Sequence, residues 1–372
     1  MNISSRTGSI KSIALLRGVA VLLVVWDHSV AIWTNRRDRT WFPLDAVQDW
    51  TAEPLVIIQD FGFLGVCIFF LVSGFIISEV AVRESRRDFL VKRFFRIYPA
   101  LIASILLIVA ISSMRDWLGM SGVSYTTPQV LWSMTLLNYI TGATKAVNGV
   151  AWSLVIEVIF YVLVLVCLGL LKRRFVLAIF VELGFVMLVV ATAKSFPIDR
   201  FDSKWFLFAA SVSYLPLLVL GQVLWLWRKN SHRLRVIALS GLACWLVFVF
   251  GMRRIHTKFL VPENAYGPSI AIALTIVCVA LVNENRIRIP RFIAVVSVVS
   301  YSIYLIHGPV TDLVLTKFVP HAPYALSLTL ALIVLAALSF LLWRFVELPS
   351  QAIARKLAKP VEKNQPRGIP LP

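Results

Sequence analysis

This sequence predicts an all-α, polytopic membrane protein of about ten transmembrane helices, and three observations carry that prediction. The first is composition. Of the 372 residues 59% are hydrophobic and only 15% charged, with a mean hydropathy of +0.82, whereas a soluble domain averages about 25% charged residues. The second is a series of apolar runs of spanning length. The third is a bias of Lys and Arg to alternate segments between those runs.

A spanning helix needs about 20 mostly apolar residues. Such runs lie near 13–34, 55–79, 97–114, 150–171, 175–193, 206–227, 236–252, 267–283, 293–316 and 324–345. The first contains Asp27 and His28 and has no small-residue cleavage site, so it reads as a retained helix rather than a secretory peptide. Residues 129–140 are apolar but too short to span, which fits an interfacial or re-entrant segment. With the N-terminus inside, the inner segments hold 23 of the 37 Lys and Arg residues and the outer ones 12, Arg17 and Arg344 being left out as helix-end residues. The positive-inside rule therefore places both termini in the cytoplasm. Residues 1–348 form one transmembrane domain, and the basic, proline-containing tail 349–372 is expected to be disordered.

A formal net charge of +18 raises nucleic acid as a partner. The basic residues, however, sit in short segments between apolar runs, where they set orientation and meet anionic headgroups. No nucleic acid is expected, and the lipid bilayer is the surrounding partner. Cys67, Cys167, Cys244 and Cys278 all fall within apolar runs without metal or redox spacing, so they read as small buried hydrophobes, and no metal is expected.

Ionisable groups inside a membrane segment cost about 2.5–3.5 kcal/mol each at mid-bilayer and mark function by default. At 1.5 Å per residue, His28 on the first run, Glu157 on the fourth and His307 on the ninth lie at roughly one level in the outer part of the bilayer. Arg17 and His28 are eleven residues apart, which brings both to one helix face about 16.5 Å apart. Alone, Arg17 reads equally as a snorkelling anchor. Ser300, Tyr304, His307 and Thr311 follow spacings of four, three and four and so share a face of the ninth run. Polar contacts between helices would also explain that stripe. Gly308 and Pro309 come next and predict a kink or break. Arg93 and Arg96, before Tyr98 and Pro99, share a face and suit phosphate recognition, although the positive-inside rule alone also accounts for them.

Taken in order, these segments resemble the acyltransferase family 3 membrane proteins, which include O-antigen, Nod-factor and exopolysaccharide acetylases. The resemblance covers about residues 13–349. It rests first on Arg17-Gly18-Val19-Ala20 followed by His28, then on Gly65 to Phe70 with Ser73-Gly74-Phe75-Ile76-Ile77, and on Arg93 to Pro99. Trp152-Ser153-Leu154 with Glu157, Phe160 and Tyr161, and Ser300-Tyr301 through Tyr304 and His307, complete it. One departure is Glu347-Leu348-Pro349, where relatives often carry a basic residue between Glu and Pro. The hydrolase domain appended in some relatives is not expected here.

The resemblance implies an O-acyltransferase of a bacterial inner membrane. It would move an acyl group, expected to be acetyl, from cytoplasmic acyl-CoA to a hydroxyl of a carbohydrate or lipid-linked glycan on the extracytoplasmic side. His28, Glu157 and His307 are then the expected catalytic groups, with His28 as general base, since burial favours a neutral imidazole. Arg17, Arg93, Arg96, Ser73 and Gly74 are expected at the acyl-CoA, and Trp152, Tyr161 and Tyr304 at the acceptor. A proton-coupled transporter would also place His and Glu at one depth, but it calls for an inverted repeat that the sequence does not display.

Overall fold

The computed structural model describes residues 11–57, 61–120, 123–193, 204–230, 232–256 and 266–358. Among them every regular element is helical. Nine helices among the described residues are long and apolar enough to cross a membrane. In chain order they are α1 (Lys11–Asn35), α2 (Gly62–Ala81), α3 (Arg86–Trp117), α4 (Gly149–Arg173), α5 (Phe175–Thr192), α6 (Lys204–Arg228), α7 (Leu234–Ile255), α9 (Arg291–Phe318) and α10 (Tyr324–Leu357), with the shorter apolar α8 (Tyr266–Val282) between α7 and α9. Each corresponds to one of the ten apolar runs. Residues 127–141 form two short helices, Thr127–Thr135 and Asn138–Thr141, too short to span.

Glycine decides which helix lies at the centre. Helix α2 packs against α1, α4, α6 and α8, and its glycines let backbones approach. A Cβ on Gly65 would stand 2.7 Å from the Ala20 carbonyl oxygen, and one on Gly74 would collide with that of Leu218. On α6, Gly221 faces the Leu71 carbonyl in the same way. Small residues at a helix interface replace the hydrophobic driving force that lipid removes. Helices α2 and α6 are accordingly 72% buried within the protein, against 28% for α7 and α10, which leave their apolar faces for lipid.

In two spanning helices a proline sits inside an uninterrupted α-helical stretch that runs on through it. Pro309 lies within α9 and Pro99 within α3. Of the expected kink or break at Gly308-Pro309, the break does not occur: the helix continues to Phe318. Proline deprives the carbonyl four residues earlier of its donor, and each freed carbonyl is served by a side chain from elsewhere. Asn148 Nδ2 donates to Leu305 O at 3.0 Å, and the Ser350 hydroxyl donates to Phe95 O at 3.0 Å. Such rescue is what permits proline in a membrane helix.

The expectation of a disordered tail from residue 349 is corrected over its first part. After a π-helical turn at Trp343–Glu347 the chain stays helical from Leu348 to Leu357. This segment packs on the start of α3, where Ser350 acts. Residues 359–372 lie outside the described residues.

Candidate active site

Helix α9 presents the polar stripe foreseen from its spacing, and each member meets a partner on a neighbouring helix. Arg17 of α1 donates through Nη2 to Ser300 Oγ at 2.9 Å. Tyr304 shares a 2.6 Å hydrogen bond with Ser153 of α4. His307 packs edge-on against His28, with ring centroids 4.8 Å apart. Thr311 accepts from Ser29 at 3.0 Å. The stripe thus clasps α1 and α4, and it brings the two histidines, 279 residues apart in sequence, into one contact.

Their tautomers follow from their partners. His28 Nδ1 lies 3.1 Å from Val24 O and His307 Nδ1 lies 2.8 Å from Tyr304 O. A carbonyl only accepts, so each Nδ1 carries the proton and each Nε2 keeps its lone pair. Asp27 Oδ2 stands 3.4 Å from His28 Nδ1. Around His28 the α-helix loosens into a π-helical turn, Asp27–Ala31, an irregularity that recurs at functional positions. His307 is fully buried, while His28 reaches open space.

Three cavities adjoin along the bundle. The first is lined by Arg17, Arg93, Arg96, Ser73, Glu157 and Tyr161, among others. The second holds His28 with Trp152, Tyr139 and Tyr214, and meets the first at Val66 and Tyr304. The third meets the second at His28, Ile32 and Val150, and reaches Arg36, Arg115 and Asp312. His28 therefore stands at the junction of the second and third. Residues of α1, α4 and α9 line both the first and the second cavity, with Glu157 at the first and His28 at the second.

The arginines of the first cavity are held by fixed partners. Arg96 pairs with Glu347 at 2.5 Å, and its guanidinium lies 5.0 Å from the Tyr301 ring centroid. Glu347, itself buried, also accepts from Ser302 at 3.0 Å and from Gln351 at 3.0 Å. Arg93 lies over the rings of Phe89 and Tyr161, at 5.5 and 5.8 Å. Glu157 accepts from Ser73 at 2.8 Å and from the Tyr161 hydroxyl.

The site residues predicted from sequence divide accordingly. His28, Trp152 and Tyr304 line the second cavity, and His307 is buried behind the His28 ring. Arg17, Arg93, Arg96 and Ser73 gather at the first. Glu157 and Tyr161 line the first cavity with the arginines, whereas Trp152 and Ile156 of the same helix line the second with His28. Gly74 is not among the lining residues of the first cavity, and it lies where α2 and α6 approach closely. Residues that sequence reasoning missed are Glu347, whose Arg96 partner lies 251 positions away, Asn148, and the Asp312 carboxylate that joins Arg37 and Arg115. Asp312 lies one residue beyond the recognised stripe, and its position near the helix end concealed it.

Spanning helices, paired histidines and an adjoining arginine-lined cavity together define the candidate site. The family model described as an acyltransferase domain, acyltransferase family 3, matches residues 10–344, and the chain belongs to that family. It is similar to "Nodulation protein 10" of Rhizobium leguminosarum bv. viciae, with 26% identity over 373 residues, covering 92% of this chain and 94% of the relative. No solved structure matches. The chain is thus a membrane acyltransferase of the O-acetyltransferase-like kind.

Proposed function

We propose that this enzyme takes an acyl group, acetyl in the simplest case, from acyl-CoA on the cytoplasmic side. It passes the group to a hydroxyl of a carbohydrate or lipid-linked glycan on the far side of a bacterial inner membrane. The observation that carries the reading is the position of His28 where two cavities meet, with the arginine-lined cavity adjoining through Val66 and Tyr304. The positive-inside rule puts the Arg17 end of α1 on the cytoplasmic side.

The arginine cavity supplies what a coenzyme A phosphate or pyrophosphate seeks: planar, permanently charged donors already oriented by Glu347, Ser300 and aromatic rings. The pantetheine arm then extends past Tyr304 and Val66, so that the thioester arrives beside His28. His28 Nε2 takes the proton of the acceptor hydroxyl as its oxygen attacks the thioester carbonyl. The carbon–sulfur bond breaks, the coenzyme leaves as thiolate, and the proton returns to sulfur through the imidazole. His307, locked by Tyr304 O and buried against the His28 ring, fixes the plane of the base. Glu157, in this arrangement, acts on the donor side by holding Ser73 and Tyr161.

The test uses purified protein in vesicles loaded with candidate glycans, with acetyl-CoA supplied outside or inside. Mass spectrometry of the glycans should register one acetyl group only when donor and acceptor are on opposite sides. Transfer that requires both on one side would remove the transmembrane part of the proposal. Loss of glycan acetylation from cells lacking the gene identifies the natural acceptor.

A further inference from the structure

The third cavity has an unbalanced charge. Arg36, Arg37 and Arg115 line it, and Asp312 is the carboxylate among its described lining residues. Both oxygens of that carboxylate are already engaged: Oδ1 by Arg37 Nη2 at 3.0 Å and Oδ2 by Arg115 Nη1 at 2.8 Å. Arg37 is held further by Thr316 at 3.1 Å and by the Trp33 ring, 4.3 Å from its guanidinium carbon. Arg36 has no carboxylate partner among the described residues and is exposed to the cavity mouth.

Three guanidiniums against one carboxylate leave two positive charges on a wall that also contains Ile108 and Ile111. In such partly apolar surroundings an uncompensated cation gains more from an oxyanion than it would in open water. The excess also lies on the acceptor's approach. Arg36 follows His28 by eight residues, about 12 Å along the helix, and both side chains line this one cavity. The coenzyme's own phosphates do not explain the charge, since the cavity of Arg17, Arg93 and Arg96 lies beyond Tyr304 on the other side of His28.

We infer that the acceptor is an anionic carbohydrate, whose carboxylate or phosphate is held by Arg36 within the Arg37–Arg115–Asp312 cluster while a neighbouring hydroxyl lies at His28. The inference rests on the acyl-transfer reading and narrows its acceptor. Neutral sugars enter the same cavity without this anchor and bind more weakly.

Thermal unfolding of the full-length protein in nanodiscs tests it, with glucose, glucuronate or glucose 1-phosphate as the added sugar and sodium sulfate to match ionic strength. The anionic sugars should raise the midpoint where glucose and sulfate do not, and the larger of the two shifts identifies carboxylate or phosphate. Arg36→Gln should raise the half-saturating concentration of the anionic sugar about tenfold, the equivalent of one charge-assisted hydrogen bond. Coenzyme A, added to the same samples, should still stabilise this variant, which shows that it is folded and reports the donor site separately. Equal shifts from all three sugars would overturn the proposal. So would a shift from sulfate alone equal to that from the anionic sugars. If Arg93→Gln, rather than Arg36→Gln, removes the effect, the anion sits in the donor cavity and the proposal fails. Loss of the coenzyme A shift from the unaltered protein would instead count against the donor reading.

Discussion

Two clusters of three arginines flank His28, and they are built on different terms. Arg17, Arg93 and Arg96 lie on helix faces inside the bundle, where a cation without a partner costs several kcal/mol. Fixed groups therefore hold them: Ser300, the rings of Phe89, Tyr161 and Tyr301, and Glu347. Arg36 and Arg37 lie where α1 ends, and Arg115 in the last turn of α3. There a single shared carboxylate suffices, and one guanidinium is left for a ligand. On the proposed reading the inner cluster, held on all sides, meets the coenzyme, and the looser outer cluster meets the acceptor.

The most severe test removes what the two clusters share. His28→Ala should lower acyl transfer by about 10²–10⁴-fold, the range of a lost general base, with unfolding temperature and coenzyme A binding preserved. Near-normal turnover would separate the clusters from any common chemistry and dissolve the comparison.

Next in size are changes to the inner cluster alone. Arg93→Ala should raise the KM for acetyl-CoA about tenfold while kcat with saturating donor changes little, since one charge-assisted contact is lost. Glu347→Gln should act in the same direction more weakly, because Glu347 positions Arg96 and does not meet the donor. A fall in kcat at unchanged KM would place Glu347 in the chemistry instead. The clusters should also differ in salt response. Contacts of the half-exposed outer cluster are screened at 0.15 M salt, where the Debye length is about 8 Å. Those of the inner cluster, enclosed by protein, are screened less. Raising salt should therefore increase the acceptor's KM more steeply than the donor's. Equal slopes would mean that the two cavities are equally open to water.

Sequence made much of this arrangement legible, and the limits have a physical source. Length and polarity located all ten helices, because the bilayer imposes a fixed span. Spacing along α9 placed Ser300, Tyr304, His307 and Thr311 on one face, and the cost of exposing His28 and His307 to lipid favours their meeting inside the bundle. Depth, however, is one coordinate of three. Glu157 matched the histidines in depth but faces the arginines, since azimuth around α4 decides which cavity a side chain enters. Gly74 follows Ser73 in one motif, yet neighbours on a helix point about 100° apart, and only Ser73 lines the first cavity. Arg96–Glu347 and Arg115–Asp312 join segments far apart in sequence, and no periodicity within a single helix reveals such pairs.

The smallest expected effects concern the two prolines, one near each arginine cluster. Asn148→Ala removes the donor to Leu305 O and leaves a buried carbonyl unpaired, at a cost of about 1–3 kcal/mol. Ser350→Ala does the same to Phe95 O at the inner end, and should cost about 1 kcal/mol because the site is only part-buried. Each loss should depend on its proline. In a Pro99→Ala background, residue 99 regains an N–H that can donate to Phe95 O, so that Ser350→Ala should then cost little. The same holds for Asn148→Ala in a Pro309→Ala background. Thermal unfolding of the single and double variants yields a coupling energy for each pair. If Ser350→Ala is equally costly with and without Pro99, its hydroxyl serves the packing of the final helical segment through its other bond, to Glu347 O at 2.9 Å. The rescue of the proline-freed carbonyl would then hold for α9 alone.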